Sequence, residues 1–241
     1  YLPVLDEILE QQEIQTEQKM GLMQVPLEHV VGTSTRGRMS AFAANFMPIL
    51  DGDTEFAFKW RHLAEAQENE GIRDPIIAYE YLNRFYVVEG NKRVSVLKYY
   101  NADSIPAIVT RKVPKLTDEE HIKIYYEFMD FYEATGLSTI EFTRVGKAEQ
   151  MLEMVGAPTP WDEETKDNFD KVYFYFSKAY EECGGKTLPI TMGDAIVAFM
   201  TIYGYENMLT MTQKDFAGNI NKCWSELKVL TEKLTVQPSK R

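Results

Sequence analysis

The chain changes texture once, between residues 113 and 116, and that change limits the fold more than any other feature. Before it, apolar residues come in short runs rich in Val, Ile, Tyr and Phe: Leu22 to Val25, Pro75 to Tyr81, Phe85 to Val88 and Ile105 to Val109. Runs of this length and composition read as strands, and Leu82-Asn83-Arg84 between two of them reads as a hairpin. Asp51-Gly52-Asp53-Thr54 reads as a turn and N-cap for a helix through about Glu68, and Val94 to Tyr100 as another helix. After Pro114 the apolar residues recur at helical spacing over roughly 117–134, 144–155, 162–182, 191–203 and 213–234. Gly136, Gly156, Gly184-Gly185 and Gly204 fall near the ends of these segments, as C-terminal caps do. Thr117, with Glu120 three residues on, reads as a capping box that opens the first of them. The pattern predicts an α+β fold, a small mixed sheet with helices, followed by an all-α helical bundle. Residues 1–21 carry Pro3, Val4, Leu5, Ile8 and Leu9 and read as an N-terminal amphipathic helix over 3–18. Residues 22–114 form the expected sheet domain, 115–236 the helical domain and 237–241 a linker or tail.

Apolar residues at 44% and charged residues at 26% of 241 place the chain among globular proteins rather than disordered ones. The net charge of −11 disfavours non-specific binding to nucleic acid, since phosphate backbones are repelled unless a local basic patch intervenes. The two cysteines, Cys183 and Cys223, fall in different predicted helices without a CxxC spacing. That pattern excludes a zinc ribbon, argues against a disulfide framework and fits a reducing, cytoplasmic compartment. No apolar run reaches the 18 residues that a membrane span requires. The chain starts at Tyr1 and ends in "VQPSKR", so it reads as a piece of a longer polypeptide.

One stretch carries a chemical signal in an otherwise acidic chain. In "VVEGNKRVSVLKYYNADSIPAIV", residues 87–109, a strand stops at Glu89-Gly90 and a helix opens on Asn91, Lys92 and Arg93. The first N–H groups of a helix lack intrahelical partners and sit at the positive end of its dipole. A glycine there lets an anion approach the main chain, and Lys and Arg beside it neutralise the charge. The competing reading is a solvated helix start whose two cations face water.

The order of segments resembles the ParB/sulfiredoxin superfamily, whose members carry a G-x-[HR]-R box after a strand. Here the box is Gly90-Asn91-Lys92-Arg93, preceded by "VPLEHVV" (25–31), a helix over 55–70 and "GIRDPIIAYEY" (71–81), and followed by "NADSIPAIVTR". The resemblance covers about residues 22–112. It implies a ParB/sulfiredoxin-like sheet domain that holds a nucleotide such as CTP or ATP, with Mg²⁺, through its phosphates. Gly90, Asn91, Lys92 and Arg93 are carried over as phosphate contacts. The loop after the first strand adds Thr33, Ser34, Thr35, Arg36 and Arg38. Asn91 stands where a sulfiredoxin needs cysteine, which excludes sulfinic-acid reduction. The following helix, "DEEHIKIYYEFMDFYEATG", lacks the Glu-Asn-x-x-Arg box of ParB clamps. If the domain were a phosphotransferase or nucleotide hydrolase, Glu89 or Glu28 would serve as its catalytic carboxylate. The helical half is similar, more loosely, to segments that join ParB-like domains to periplasmic-binding-type sensory modules. A regulatory or interaction module with a protein partner or adjoining sensory domain is therefore the expected role.

Other motifs lose to simpler readings. "GGKT" (184–187) lacks the first glycine of a Walker A loop, where Tyr180 stands, and reads as a helix end and turn. "LDGDTE" (50–55) runs into a helix with no closing Glu for a calcium loop. His29, His62 and His121 share no metal-ligand spacing, and no metal site is expected. "MTQKDFAGNINKCWSELKVL" (211–230) has the outline of a helix-turn-helix, but residues 160–235 carry 12 acidic and 8 basic side chains, which argues against DNA. The aromatic stripe Tyr173, Phe174, Tyr175, Phe176 and Tyr180, with Phe199, Tyr203 and Tyr205, reads as core.

Overall fold

The structure, a computed structural model, describes residues 1–49 and 52–235, with side chains through Val229. The chain divides into two compact units, Tyr1–Thr117 and a second beginning at Asp118. The expected tail, 237–241, and Asp51 of the expected turn lie outside the described residues.

The first unit is a five-stranded mixed sheet with helices. Its strands are β1 (Ile14–Pro26), β2 (Val30–Thr33), β3 (Ile76–Tyr81), β4 (Arg84–Glu89) and β5 (Ser104–Pro114), in spatial order β1-β5-β3-β4-β2. The β1–β5 and β3–β4 pairs are antiparallel, and β3–β5 and β2–β4 are parallel. The β3–β4 hairpin turns on Leu82 and Asn83, both with positive φ (51° and 61°), as a two-residue type I′ turn requires. The Glu80 carboxylate accepts from the Asn83 N–H at 2.8 Å and holds that turn. One sheet face packs Ile76, Ala78, Phe85, Val87, Ile105, Ala107 and Val109 against Phe42, Phe46, Val94 and Leu97. On the same face as Ile76 and Val109, Glu80 and Arg111 are buried as an ion pair at 2.5 Å.

The expected helix over residues 3–18 is corrected. Only Leu5–Leu9 (α1) is helical, and Ile14–Pro26 is a 13-residue edge strand paired along β5. Leu5 and Val4 are buried, so the apolar spacing that suggested a helix belongs to this single turn. Beyond it, Gln, Glu and Lys favour a helix locally, but the unpaired edge of β5 offers a full ladder of backbone hydrogen bonds. Tertiary pairing overrides the propensity. Exposed Glu17 and Glu13 reach Lys112 and Lys115 across the pair at 2.5 and 2.6 Å. Such charges also deter edge-to-edge association.

In the second unit the helices are α4 (Glu120–Thr135), α5 (Lys147–Val155), α6 (Glu163–Glu182), α7 (Met192–Tyr203), α8 (Tyr205–Met208), α9 (Gln213–Lys222) and α10 (Trp224–Thr235). The expected segment 213–234 is thus two helices broken at Cys223. The capping box expected at Thr117 does not open α4, whose N-cap is Glu119; Asp118 accepts instead from Lys123 at 2.9 Å. A full capping box does open α9, between Thr212 and Asp215. The core is aromatic: Phe131, Trp161, Phe169, Phe176, Tyr180, Phe199 and Phe216 are buried together, while Phe174 is exposed. "GGKT" forms a 3₁₀ turn after α6.

Candidate functional site

Parallel pairing of β2 with β4 sends both strands out of the same edge of the sheet. The chain after Thr33 and the turn after Glu89 therefore meet. Asn91 Nδ2 lies 3.5 Å from Thr33 Oγ1, and Thr33 Oγ1 and Ser34 N–H both donate to the Val87 carbonyl, at 3.1 and 2.9 Å. The turn opens α3 (Asn91–Tyr99), with Gly90 at its N-cap in a left-handed conformation, φ 108°. A β-carbon on Gly90 would stand 2.5 Å from Ile76 Cγ2. The fold itself demands glycine here, whatever binds beside it.

Beside α3 lies α2 (Glu55–Asn69), capped by the Thr54 hydroxyl, which accepts from Ala57 N–H at 3.2 Å. Lys92 Nζ sits 4.6 Å from the centre of the Phe56 ring, Trp60 Nε1 donates to Ser95 Oγ at 2.8 Å, and Tyr100 donates to Glu68 at 2.5 Å. These contacts advance together along both helices. The helices run in the same direction, and their N-termini lie side by side. Two positive helix ends thus share one locality.

Cations gather there. Burial lowers the proton affinity of Lys92, and the neighbouring charges of Lys59 and Arg38 lower it further, with Glu55 opposing them. Glu55, held below its ordinary range by its bond to Lys59 at 2.5 Å and by the charges of Lys59 and Lys92, is the opposing carboxylate. Asn91 is 7% exposed, and its amide oxygen has no hydrogen-bond partner. A buried polar atom without a partner costs about 1–3 kcal/mol.

The expected residues divide into three groups. Lys92, Asn91, Thr33 and Ser34 converge with Arg38 at the paired helix ends. Arg93 is occupied by the fold: its guanidinium donates to the carbonyls of Asp74, at 3.1 Å, and Pro75, and pairs with Glu89 at 3.7 Å. Arg36 points to α1, bonding Glu7 at 2.6 Å and Glu10 at 3.6 Å. Glu28 is electrostatically coupled to Lys98, six residues and about 9 Å along α3 from Lys92. Thr35 is the N-cap of the 3₁₀ turn Arg36–Ala41 and makes no side-chain capping bond. Lys59 was not legible as a site residue, because only the packing of α2 against α3 brings it to Lys92.

No group of three His, Cys, Asp or Glu is placed to hold a metal ion, and no helix is long and apolar enough to cross a membrane, among the described residues. The architecture is that of an α+β protein, a mixed five-stranded sheet with helices joined to a helical region. No family model and no curated protein matches the chain.

Proposed function

We propose that the first unit is a ParB/sulfiredoxin-like domain that binds a nucleotide by its phosphates at the paired N-termini of α2 and α3. In this reading it serves as a regulatory or interaction module. The observation that carries the reading is the cluster of Arg38, Lys59 and Lys92 at two adjacent positive helix ends, in a chain of net charge −11. An anion there is favoured by three cations against the single carboxylate of Glu55, and by two helix dipoles. The residues present fit the phosphates; Mg²⁺ would arrive on the nucleotide. Glu89 is the expected carboxylate beside the turn, so phosphotransfer or hydrolysis would rest on it and not on Glu28.

Thermal unfolding with CTP, ATP, ADP and GTP, each with and without Mg²⁺, tests the reading. A ligand at about 100 times its Kd adds roughly 2.7 kcal/mol. The expected result is a shift with one nucleotide, lost in the Lys59→Ala/Lys92→Ala double variant. Arg93→Ala is a poor probe, because it frees the start of β3. No shift at millimolar nucleotide, or a shift that survives the double variant, would overturn the assignment. Phosphate release by wild type, abolished in Glu89→Gln, would convert the module into an enzyme.

A further inference from the structure

The second unit contains a cavity that the nucleotide reading does not use. It has a volume of about 480 Å³ and lies between α5, α7, α10 and the loop before α5. Its walls are largely apolar, from Ile190, Ala198, Ile202, Leu227 and Val229. Ile202 and Val229 are 48% and 46% exposed, a costly display of large aliphatic side chains around a concave site. The volume falls in the range of about 300–1,000 Å³ typical of small-molecule sites.

The polar groups in the wall are unevenly satisfied. Asp194 is held by the fold: its Oδ2 accepts from Thr143 N–H and Oγ1, at 3.2 and 2.6 Å, and from Thr191 Oγ1 at 2.9 Å. Lys147 donates to the neutral Gln150 at 2.7 Å, and Gln150 reaches Thr201 at 3.4 Å. The Arg144 side chain makes no hydrogen bond, and neither Arg144 nor Lys147 is in an ion pair, among the described residues. Both are half-buried, and Lys147 is the first residue of α5, whose N-cap Gly146 N–H already donates to Glu127 at 2.7 Å, so the positive charge facing the cavity is that of the two side chains. Glu226 is the one remaining carboxylate of the wall, and it acts on Tyr203 and Cys223.

We infer that this cavity binds an amphipathic monocarboxylate, its apolar body between α7 and α10 and its carboxylate on Arg144 and Lys147. A half-buried guanidinium without a partner pays desolvation that a bidentate carboxylate returns, while the aliphatic wall discriminates against fully polar anions.

Calorimetric titration of the whole chain with decanoate, decanol and decylamine, each below its aggregation threshold, tests this. Saturable one-site binding of decanoate is expected, with decanol and decylamine at least about tenfold weaker, the loss of a charge-assisted hydrogen bond. Arg144→Gln with Lys147→Gln raises the decanoate Kd by a similar factor, and Ala198→Trp, which fills the cavity, abolishes binding. Circular dichroism melts establish that the variants fold. Absence of saturable decanoate binding, equal binding of decanol or decylamine, or binding unchanged in the folded variants would overturn the assignment.

Discussion

Replacing Gly90 by alanine separates what the turn owes to the fold from what it offers a ligand. The new β-carbon would lie 2.5 Å from Ile76 Cγ2 and 3.1 Å from Ile76 Cβ, at a φ of 108°. A left-handed backbone costs an L-residue about 1–2 kcal/mol. Overpacking a closed site costs about 1–3 kcal/mol more. Gly90→Ala should therefore destabilise the first unit by about 2–5 kcal/mol. Hydrogen exchange of peptides covering 76–99 reports the stability of this region without assuming that the two units unfold together. In an Ile76→Ala background the clash is largely removed, and the same substitution should cost about 1–3 kcal/mol less, a coupling a double-mutant cycle isolates. A loss below about 1 kcal/mol, or an equal loss in both backgrounds, would refute the assignment of this glycine to packing against Ile76.

Three further outcomes are expected. Glu80→Ala removes the carboxylate that pairs with buried Arg111 and should cost about 3–5 kcal/mol by urea unfolding, whereas Glu80→Met with Arg111→Met should recover most of that loss. Lys92 has a lowered proton affinity from burial and from Lys59 and Arg38, so its charged form is disfavoured in the fold and its contribution to stability rises as pH climbs through its folded pKa. A bound phosphate reverses that bias, so nucleotide binding at about pH 9 should take up protons, read as a buffer-dependent heat, and should weaken as pH rises further. Burial pushes the Cys223 thiol up to about 11 and raises Cys183 as well, so iodoacetamide at pH 8 should label both far more slowly than free cysteine, the half-buried Cys183 first.

The helical half was legible in outline, though the break at Cys223 and the short α8 were not. Long segments of 3.6-residue periodicity closed by Gly136, Gly156 and Gly204 became α4, α5 and α7 with those glycines at their C-caps. The turn at Gly90 was legible too, since a strand ending in glycine before a polar-cationic triplet specifies local geometry by itself. Of the long strand β1 only the end, Leu22 to Val25, was legible; residues 14–21 were not, because their partner lies some 90 residues away and no local signal in Gln-, Glu- and Lys-rich sequence announces it. Nor was the burial of Phe42 and Phe46, which lie outside the helices and strands. Of the candidate site, the fold brings Asn91 to Thr33 at the end of β2, while it turns Arg36 to Glu7 and Glu10 and leaves Glu28 coupled to Lys98.

Local chemistry thus determined most of the helices and several of their ends, and that a cationic helix start follows a glycine, but not the strand over Ile14–Pro26. Tertiary structure decided what stands beside what. Whether Arg93 meets a ligand or the carbonyls of Asp74 and Pro75 depends on the path of β3, and whether Lys59 belongs to the site depends on α2 running parallel to α3. Periodicity and capping are written within a few residues of one another, and a sequence displays them. Pairing, packing and the summed field of charges depend on distances between segments remote in the chain, which are fixed only when the core closes.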